Sequence, residues 1–338
     1  MTEPGRGQRP PVKLSDVAAA AGVAPMTVSR VINTPDRVSP ATAARVRAAI
    51  ERLGYVPNLV AGGLSSRRSR MIAAIVPTMA HPMFAELVQF FTDTMRSAGY
   101  QVMLSLSGYT EPVEHELVRG LLGRRPDAMM VTGAAHAPVT RQMLTEAGIP
   151  VVEIWDISSQ PVDMLVGLDH VEIGAKVAAF FLARRIENFA VFAASDPRAQ
   201  ARKRGFADAI RRVGGRILAD PVLPVPSTIA AGRQALSALA PALKGPTALF
   251  CSSDLLGFGA VTEARVRGIK VPEELSVCGF GNFELGAANE PSLTTVSAEG
   301  AEIGRTAASF LLRRLNGAPP STTDRVQVPF RIVERAST

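Results

Sequence analysis

The chain contains 338 residues, with 37 Lys and Arg against 30 Asp and Glu, and carries a formal net charge of +7. Two cysteines are too few for a disulfide-stapled scaffold, and no stretch of 18 apolar residues exists that could cross a membrane. Residues 1–70 hold eleven basic and four acidic side chains, so they carry the whole net charge. A basic head on a neutral body is typical of a protein that delivers one small domain to a polyanion.

Residues 1–12 are rich in arginine, glycine and proline and contain no apolar run. We expect a disordered basic arm there and no secretion signal. Cys251 and Cys278 each lie at or near the end of an apolar run, which favours buried free thiols. Together these features predict a cytoplasmic protein with reduced cysteines.

Residues 13–57 have the pattern of a helix-turn-helix DNA-binding domain. Ser15 is the expected N-cap of the first helix, and Gly22 is expected to follow that helix in a left-handed conformation. The apolar spacing of the first helix predicts a buried stripe of Val17, Ala20 and Ala21.

Pro25 fits the first position of a second helix, which is expected to bury Val28, Val31 and Ile32. Ser39 and Pro40 open a third helix that ends at Gly54. Its predicted apolar face comprises Ala44, Val46, Ile50 and Leu53. The opposite face carries three arginines that can meet phosphates: Arg45, Arg47 and Arg52.

Several short motifs in this segment match the lactose/galactose-repressor family in order and spacing, without gaps. The motifs are Asp16-Val17-Ala18, Ala21-Gly22-Val23, residues 27–33, Val38-Ser39 and residues 53–58. The chain therefore resembles dimeric bacterial transcription regulators that join a DNA-reading head to a two-lobed, effector-binding body.

The resemblance implies contacts with double-stranded operator DNA at the matching positions. Pro25 and Met26 occupy two recognition-helix positions that vary between members and help to choose operator bases. Both offer only apolar contact, for example to a thymine methyl group. The other implied DNA contacts are Ser15, Thr27, Ser29, Arg30, Asn33, Asn58 and Ala61.

Residues 58–70 have the composition of a linker, and their simplest interpretation is a flexible tether. The resemblance implies instead a hinge that forms a short helix on the operator and wedges Leu64 into a central base step. Gly62 stands where many members carry arginine. With Gly63 it disfavours the helix by about 1 kcal/mol per residue relative to alanine, so the hinge is expected to depend on DNA and dimer contacts.

From Met71 onward, short apolar runs alternate with amphipathic stretches. The predicted strands are 71–76, 101–106, 128–132, 151–154, 164–166, 190–193, 248–251 and 276–279. The predicted helices are 83–98, 113–124, 139–147, 173–184, 199–212, 229–242, 255–267 and 300–315. This alternation predicts an α/β body of parallel sheets flanked by helices, and its length predicts two lobes.

The resemblance implies that residues 71–338 form a periplasmic-binding-protein-like effector-binding and dimerisation domain. The N-lobe is expected at about 71–168 and 297–325, and the C-lobe at about 169–296 and 326–338. The predicted fold is therefore α/β, with an all-α helix-turn-helix head joined by a hinge to this two-lobed body.

Ligands of doubly wound sheets bind outside the carboxyl ends of the strands, and the resemblance places the effector cleft there. Arg202 begins an Arg-x-x-Gly-aromatic motif whose arginine holds the ligand, and its planar fork suits a carboxylate or vicinal hydroxyls. Asp156 falls where a ligand hydroxyl is often accepted, and Asp254 is expected to cap a helix. The remaining effector-binding candidates are His81, Phe84, Ser253, Gly281 and Asn282.

Gly281 stands where sugar- and purine-binding members usually carry aspartate, and the loss of this carboxylate favours an anionic ligand. Stretches such as 99–104 and 147–153 resemble gluconate-responsive members. We therefore expect a repressor of sugar-acid catabolism genes that gluconate or a related sugar acid releases from DNA. A neutral sugar, a purine or a corepressor mode stays open.

The four histidines show no metal-ligand spacing, and no phosphate loop or nucleophile elbow is present. The sequence thus predicts no metal, no cofactor and no enzyme. A sugar-binding transport protein would share the two-lobed body, but the DNA-reading head argues against it. The absence of a leucine heptad after the strand-like segment 327–333 favours a homodimer, which predicts a palindromic operator.

Overall fold

The structure is a computed structural model that describes residues 12–56 and 68–338. The chain divides into two compact units, which meet in sequence between Ser69 and Arg70. The N-terminal unit is a helical head, and the C-terminal unit is an α/β body.

Three α-helices form the head: α1 (Leu14–Ala21), α2 (Pro25–Asn33) and α3 (Pro40–Leu53). Gly22 and Gly54 adopt the left-handed conformation after α1 and α3, with φ of 63° and 62°. The Ser39 hydroxyl accepts a hydrogen bond from the Thr42 N–H at 3.4 Å and caps α3. The predicted helix-turn-helix is therefore confirmed, together with its glycine and serine boundaries.

Three details of the head differ from the prediction. Helix α1 begins at Leu14, because the Lys13 N–H donates to the Asp16 carboxylate at 2.8 Å, and Ser15 lies inside the first turn rather than at the N-cap. Helix α1 packs against both α2 and α3, so its buried face contains Ala18 instead of Ala20. In α3 the buried alanines are Ala43 and Ala49, and Ala44 is exposed. The small core of the head comprises Val17, Ala18, Ala21, Val28, Val31, Ala43, Val46 and Ala49.

The body contains two sheets. The first has the strand order β12-β5-β4-β3-β1-β2 and is parallel throughout. Its strands are β1 (Met71–Val76), β2 (Gln101–Leu106), β3 (Ala128–Thr132), β4 (Val151–Trp155), β5 (Met164–Gly167) and β12 (Arg325–Gln327).

The second sheet has the order β13-β11-β10-β9-β6-β7, and β8 pairs with β6. Its strands are β6 (Asn188–Ala194), β7 (Arg216–Ala219), β8 (Val222–Leu223), β9 (Thr247–Cys251), β10 (Leu275–Phe280), β11 (Thr294–Ala298) and β13 (Phe330–Val333). All of its pairings are parallel except that of β13 with β11.

Nine α-helices of the described body connect and cover these strands. They are α4 (Pro82–Ser97), α5 (Glu111–Leu122), α6 (Pro138–Glu146), α7 (His170–Leu182), α8 (Pro197–Arg212), α9 (Ile229–Leu239), α10 (Asp254–Val266), α11 (Glu284–Ala288) and α12 (Gly300–Leu315). The central strands, such as β1, β3, β4 and β6, carry apolar runs because helices bury both of their faces, whereas β2, β7, β12 and β13 are partly exposed. No helix in the described part of the chain is long and apolar enough to span a membrane.

The chain crosses between the two sheets three times, after β5, after β11 and after β12. Strand β11 remains in the second sheet up to Ala298, and β12 keeps residues 325–327 in the first sheet. The second and third crossings therefore lie at least two residues beyond the expected lobe boundaries, and the first lies where it was expected. Because every strand pairing except that of β13 with β11 is parallel, the carboxyl ends of the other strands of each sheet come together at one edge.

Candidate functional site

Helix α2 exposes both apolar and basic side chains. Pro25, Met26 and Arg30 are exposed, with 63% of Met26 accessible, while Val28 and Val31 are buried. Thr27 and Ser29 are half-buried. This is the geometry of a recognition helix whose N-terminal residues can reach base edges in a major groove.

The structure describes some of the other predicted DNA-contact residues and not others. Ser15 is exposed on α1, and Arg45, Arg47 and Arg52 are exposed on α3. Asn33 ends α2, but its side chain is outside the described residues. Asn58, Ala61 and Leu64 also lie outside them, so their DNA contacts stay predictions.

A cleft of about 510 Å³ opens in the body where strands of both sheets end. The first sheet supplies residues after β1, β2, β4 and β5, and the second supplies residues after β6, β8, β9 and β10. The lining comprises His81, Met83, Phe84, Tyr109, Trp155, His170, Asp196, Arg198, Arg202, Val225, Ser227, Ser252, Ser253 and Phe280. Four predicted effector-binding residues therefore meet here: His81, Phe84, Arg202 and Ser253.

Arg202 projects from α8 into this cleft and is 6% exposed. One terminal nitrogen, Nη1, donates to His170 Nδ1 at 2.9 Å, and the other, Nη2, donates to the Ser252 carbonyl at 2.9 Å. Its guanidinium carbon lies 4.0 Å from the centre of the Phe280 ring, which is cation–π geometry. Burial lowers the pKa of Arg202 to about 10, so the side chain remains a cation at neutral pH.

His170 was not predicted as a site residue, yet it contacts Arg202 directly. Because Arg202 donates to Nδ1, the proton of a neutral His170 ring lies on Nε2. Nε2 is 3.2 Å from the Trp155 carbonyl oxygen and 3.5 Å from Asp156 Oδ1, so both of its neighbours are acceptors. Burial lowers the pKa of His170, and the nearby Arg202 charge lowers it further, against the opposing effect of Asp156.

Asp156 lies beside this cleft, in a neighbouring chamber of about 690 Å³ that shares His170 and Arg198 with it. One oxygen, Oδ2, accepts from the Ala134 N–H at 3.3 Å and is 3.8 Å from Arg198 Nη1. Burial opposes ionisation of Asp156, but the nearby His170 and the charge of Arg198 lower its pKa overall. Asp156 therefore carries a negative charge that Arg198 and His170 already contact.

Two glycines allow the helices that carry His170 and Arg202 to approach closely. A Cβ atom at Gly174 on α7 would lie 2.0 Å from the Arg202 carbonyl oxygen, and one at Gly205 on α8 would lie 2.0 Å from the Val171 carbonyl oxygen. Only glycine permits this backbone contact. Gly205 in the Arg-x-x-Gly-aromatic motif thus packs α8 onto α7 while Arg202 reaches His170, and Phe206 fills the core.

The start of α10 differs from the prediction. Ser253 is the N-cap and accepts from the Leu255 N–H at 3.2 Å. The Asp254 carboxylate instead turns inward, where it accepts from the Phe283 N–H at 2.8 Å and the Thr295 hydroxyl at 2.6 Å. The prediction that Asp254 caps α10 is wrong, because its carboxylate joins the loop after β10 to β11. Burial raises the pKa of Asp254 to about 6.

Gly281 and Asn282 are not among the cleft-lining residues. A Cβ at Gly281 would lie 2.6 Å from the Phe283 ring and 3.0 Å from Met83 Cε, and its φ of 135° favours glycine. The Asn282 side chain accepts from Arg335 at 2.7 Å and donates to Ser297 at 3.3 Å. The loop after β10 is therefore packed so tightly that it has no space for an aspartate side chain at position 281.

Other uncharged groups complete the cleft. Burial lowers the pKa of His81 and raises the pKa of Tyr109 to about 12, so both side chains are neutral at physiological pH. Trp155 packs edge-on against Phe84 with ring centres 5.1 Å apart. Sequence reasoning missed Tyr109, Trp155 and Ser227, although Tyr109 follows β2 and could have been found from the strand-end rule. No cluster of three or more metal-ligating side chains occurs among the described residues.

The comparisons with known proteins agree with this architecture. Residues 13–58 match the model for bacterial regulatory proteins of the lacI family, and residues 178–338 match the periplasmic binding protein-like domain. The chain therefore belongs to the LacI family and is a DNA-binding transcriptional regulator.

Individual relatives cover nearly the whole chain. The HTH-type transcriptional regulator GntR of Escherichia coli K12 is 33% identical over 90% of this chain and 92% of its own length. The regulator of the same name from Pseudomonas aeruginosa is 32% identical over 96% and 95%. The crystal structure of a LacI-family transcriptional regulator from Silicibacter pomeroyi superposes with a TM-score of 0.91 at 32% identity, covering 97% of this chain and 99% of that one.

Proposed function

We propose that this regulator is a homodimeric repressor of sugar-acid catabolism genes, which gluconate or a related sugar acid releases from a palindromic operator. The ligand would occupy the cleft lined by Arg202, with its carboxylate on the guanidinium and its hydroxyls on the surrounding neutral groups. The similarity to regulators named GntR supports this ligand class.

The observation that carries the proposal is the unpaired positive charge of Arg202. This buried guanidinium forms no ion pair with any residue in the described ranges, and its Nε–H has no hydrogen-bond partner there. Buried charges are normally paired, because removing an unpaired charge from water is costly. A carboxylate of the ligand would supply the missing partner.

A second unpaired donor lies in the same cleft. The Trp155 indole N–H is buried without a hydrogen-bond partner among the described residues, and Trp155 has a φ of 77°, which is unusual for a bulky side chain. Buried N–H groups are expensive to leave unsatisfied. The cleft therefore favours a ligand rich in acceptor oxygens, as a sugar acid is.

The neutral groups match the rest of such a ligand. Tyr109 and His81 are uncharged at physiological pH, and each can exchange hydrogen bonds with hydroxyl groups. Asp156 is contacted by Arg198 and His170 and also acts on the charge of Arg202. The lining contains two more charged residues, Asp196 and Arg198, and Asp196 favours the charged form of Arg202 without forming an ion pair with it. The buried guanidinium suits the carboxylate of a polyhydroxy acid, and the polar lining suits its hydroxyls.

Induction follows from thermodynamic linkage. A ligand shifts the protein between DNA-competent and incompetent states only if it binds one state more tightly. The cleft residues come from both sheets, so a ligand that contacts both of them favours one arrangement of the sheets. In the proposed repressor that arrangement has the lower operator affinity.

Ligand binding can be tested with the intrinsic fluorescence of Trp155, since the chain contains one tryptophan. We expect gluconate to change this fluorescence in a saturable way and neutral glucose to bind at least about tenfold more weakly, because the charged contact is absent. Arg202→Ala should abolish the response while operator binding persists. Arg204→Ala, which removes an exposed arginine from the same helix, is the matched control and should respond normally.

Equal binding of gluconate and glucose would contradict the proposed ligand class. A normal gluconate response in Arg202→Ala would contradict the role of Arg202. Loss of operator binding in this variant would contradict the separation of the two functions.

A further inference from the structure

His170 is the one side chain that accepts a hydrogen bond from Arg202 in the described structure, beside the Ser252 carbonyl and the Phe280 ring. The guanidinium has five N–H groups. One on Nη1 is taken by His170 and one on Nη2 by the Ser252 carbonyl, which leaves the Nε–H and one hydrogen on each terminal nitrogen. These remaining donors are the ones that a ligand carboxylate can use.

The protonation of His170 is determined by its contacts. An acceptor at Nδ1 requires a lone pair there, and the two acceptors near Nε2 require the proton on that nitrogen. A protonated ring would direct an N–H at the N–H of Arg202. The charged groups that face His170 are Asp156, Arg198 and Arg202, and the Phe280 ring packs edge-on with centres 6.3 Å apart.

Asp156, His170 and Arg202 lie in a row from one chamber to the next. Asp156 Oδ1 is buried and lies 3.5 Å from His170 Nε2 without a hydrogen bond to it, whereas His170 Nδ1 accepts from Arg202 at 2.9 Å. The close contact of α7 with α8 at Gly174 fixes the distance between His170 and Arg202. The hydrogen bond between them therefore limits the orientation of the guanidinium.

We propose that His170 is a positioning residue for effector binding: as the neutral Nε2–H tautomer, it accepts from Arg202 and presents the remaining guanidinium donors to the ligand carboxylate. On its other side the Nε2–H donates to the Trp155 carbonyl at 3.2 Å and lies 3.5 Å from Asp156. If His170 instead bound the ligand as a second cation, Nδ1 would carry a proton and could not accept a hydrogen bond from Arg202.

The tautomer can be tested in the ligand-free, full-length protein. Nitrogen-15 NMR of histidine-labelled protein at neutral pH separates the two neutral tautomers and the imidazolium, and His170→Asn assigns the signal among only four histidines. We expect the Nε2–H tautomer. The Nδ1–H tautomer or an imidazolium would overturn the proposal, and this measurement needs no effector.

The consequence for binding rests on the proposed function and is tested with gluconate and Trp155 fluorescence. Asparagine places its side-chain oxygen near the position of Nδ1, so His170→Asn keeps an acceptor for Arg202. Leucine removes it at similar size. We expect His170→Leu to weaken gluconate binding about 10- to 100-fold, since hydrogen bonds to charged groups are worth that factor. His170→Asn should stay within about threefold of the parent.

Thermal unfolding of both variants separates positioning from folding. Loss of affinity in His170→Leu with rescue in His170→Asn supports the proposal when both variants are folded at the assay temperature. Equal losses in both variants, or parental affinity in His170→Leu, would overturn it. If the parent protein shows the expected tautomer but does not bind gluconate, the ligand assignment fails, while the hydrogen bond from Arg202 to His170 Nδ1 is still supported.

Discussion

The contact between α7 and α8 at Gly174 links the packing of the body to its ligand site. In Gly174→Ala the new Cβ would lie 2.0 Å from the Arg202 carbonyl oxygen and 2.7 Å from the Phe206 nitrogen. Both atoms belong to the backbone and cannot rotate away. Ordinary contact requires about 3.4 Å, so the helices must separate by more than about 1 Å.

Overpacking of this kind typically costs about 1–3 kcal/mol, and we expect a loss near the upper end because the clashing atoms are backbone. The separation also stretches the 2.9 Å bond between His170 and Arg202, so gluconate affinity should fall as well. Urea unfolding followed by circular dichroism measures the first effect, and Trp155 fluorescence measures the second.

Gly120→Ala is the matched control. Gly120 lies on an exposed face of α5, and a Cβ there would meet only the end of the Arg124 side chain at 3.9 Å. The same substitution should stabilise the protein by about 0.5–1 kcal/mol, because alanine is the better helix former. An unchanged or increased free energy of unfolding in Gly174→Ala would refute the close-approach argument, as would shifts of the same sign in both variants.

Two further predictions concern other parts of the chain. The His136 ring lies between Glu114, at 2.9 Å, and Glu153, at 3.3 Å. Burial alone would lower the pKa of His136, but the hydrogen bond to Glu114 and the charges of Glu114 and Glu153 raise it to about 9. This raised pKa contributes stability on the order of 3 kcal/mol that is fully present below the unfolded value of 6.5 and is lost as the pH rises through 9. The difference in unfolding free energy between the parent and His136→Gln should therefore shrink between pH 7 and about 9.5, and a difference that stays constant would contradict the carboxylate clamp. In the hinge, Leu64→Ala should lower affinity for a specific operator far more than for random DNA, because a wedge acts only on a correctly placed base step. Equal losses on both DNAs would remove the wedge role.

Local patterns were sufficient to predict the fold of the body. All eight predicted strands occur within two residues of their observed ends, and the eight predicted helices within three. Apolar runs and helical periodicity are local signals, and here the tertiary structure agrees with them. Strands β7, β8 and β12 were not predicted as separate strands because they contain only two to four residues, too few for a clear pattern. Strand β11 was missed because its sequence, Thr-Thr-Val-Ser-Ala, is largely polar although it is buried, and the five-residue helix α11 was missed as well.

The site was predicted in part, because its geometry depends on contacts that are distant in sequence. Arg202 was recognised from a motif within α8, whereas His170 lies 32 residues earlier and meets it only through the contact of α7 with α8. Asp254 was assigned to its own helix terminus, although its partners are 29 and 41 residues away. Asn282 follows a strand end as expected, but its side chain is held by Arg335 and Ser297. The strand-end rule locates the cleft and cannot say which way each side chain turns.

The central claim is that a sugar acid in this cleft controls binding of the head to DNA. The most direct measurement is fluorescence anisotropy of a labelled palindromic operator, taken from DNA upstream of the gene, titrated first with the protein and then with gluconate or glucose. We predict tight binding that gluconate reverses and glucose does not, with no reversal for Arg202→Ala. Tight binding that gluconate leaves unchanged would contradict the claim.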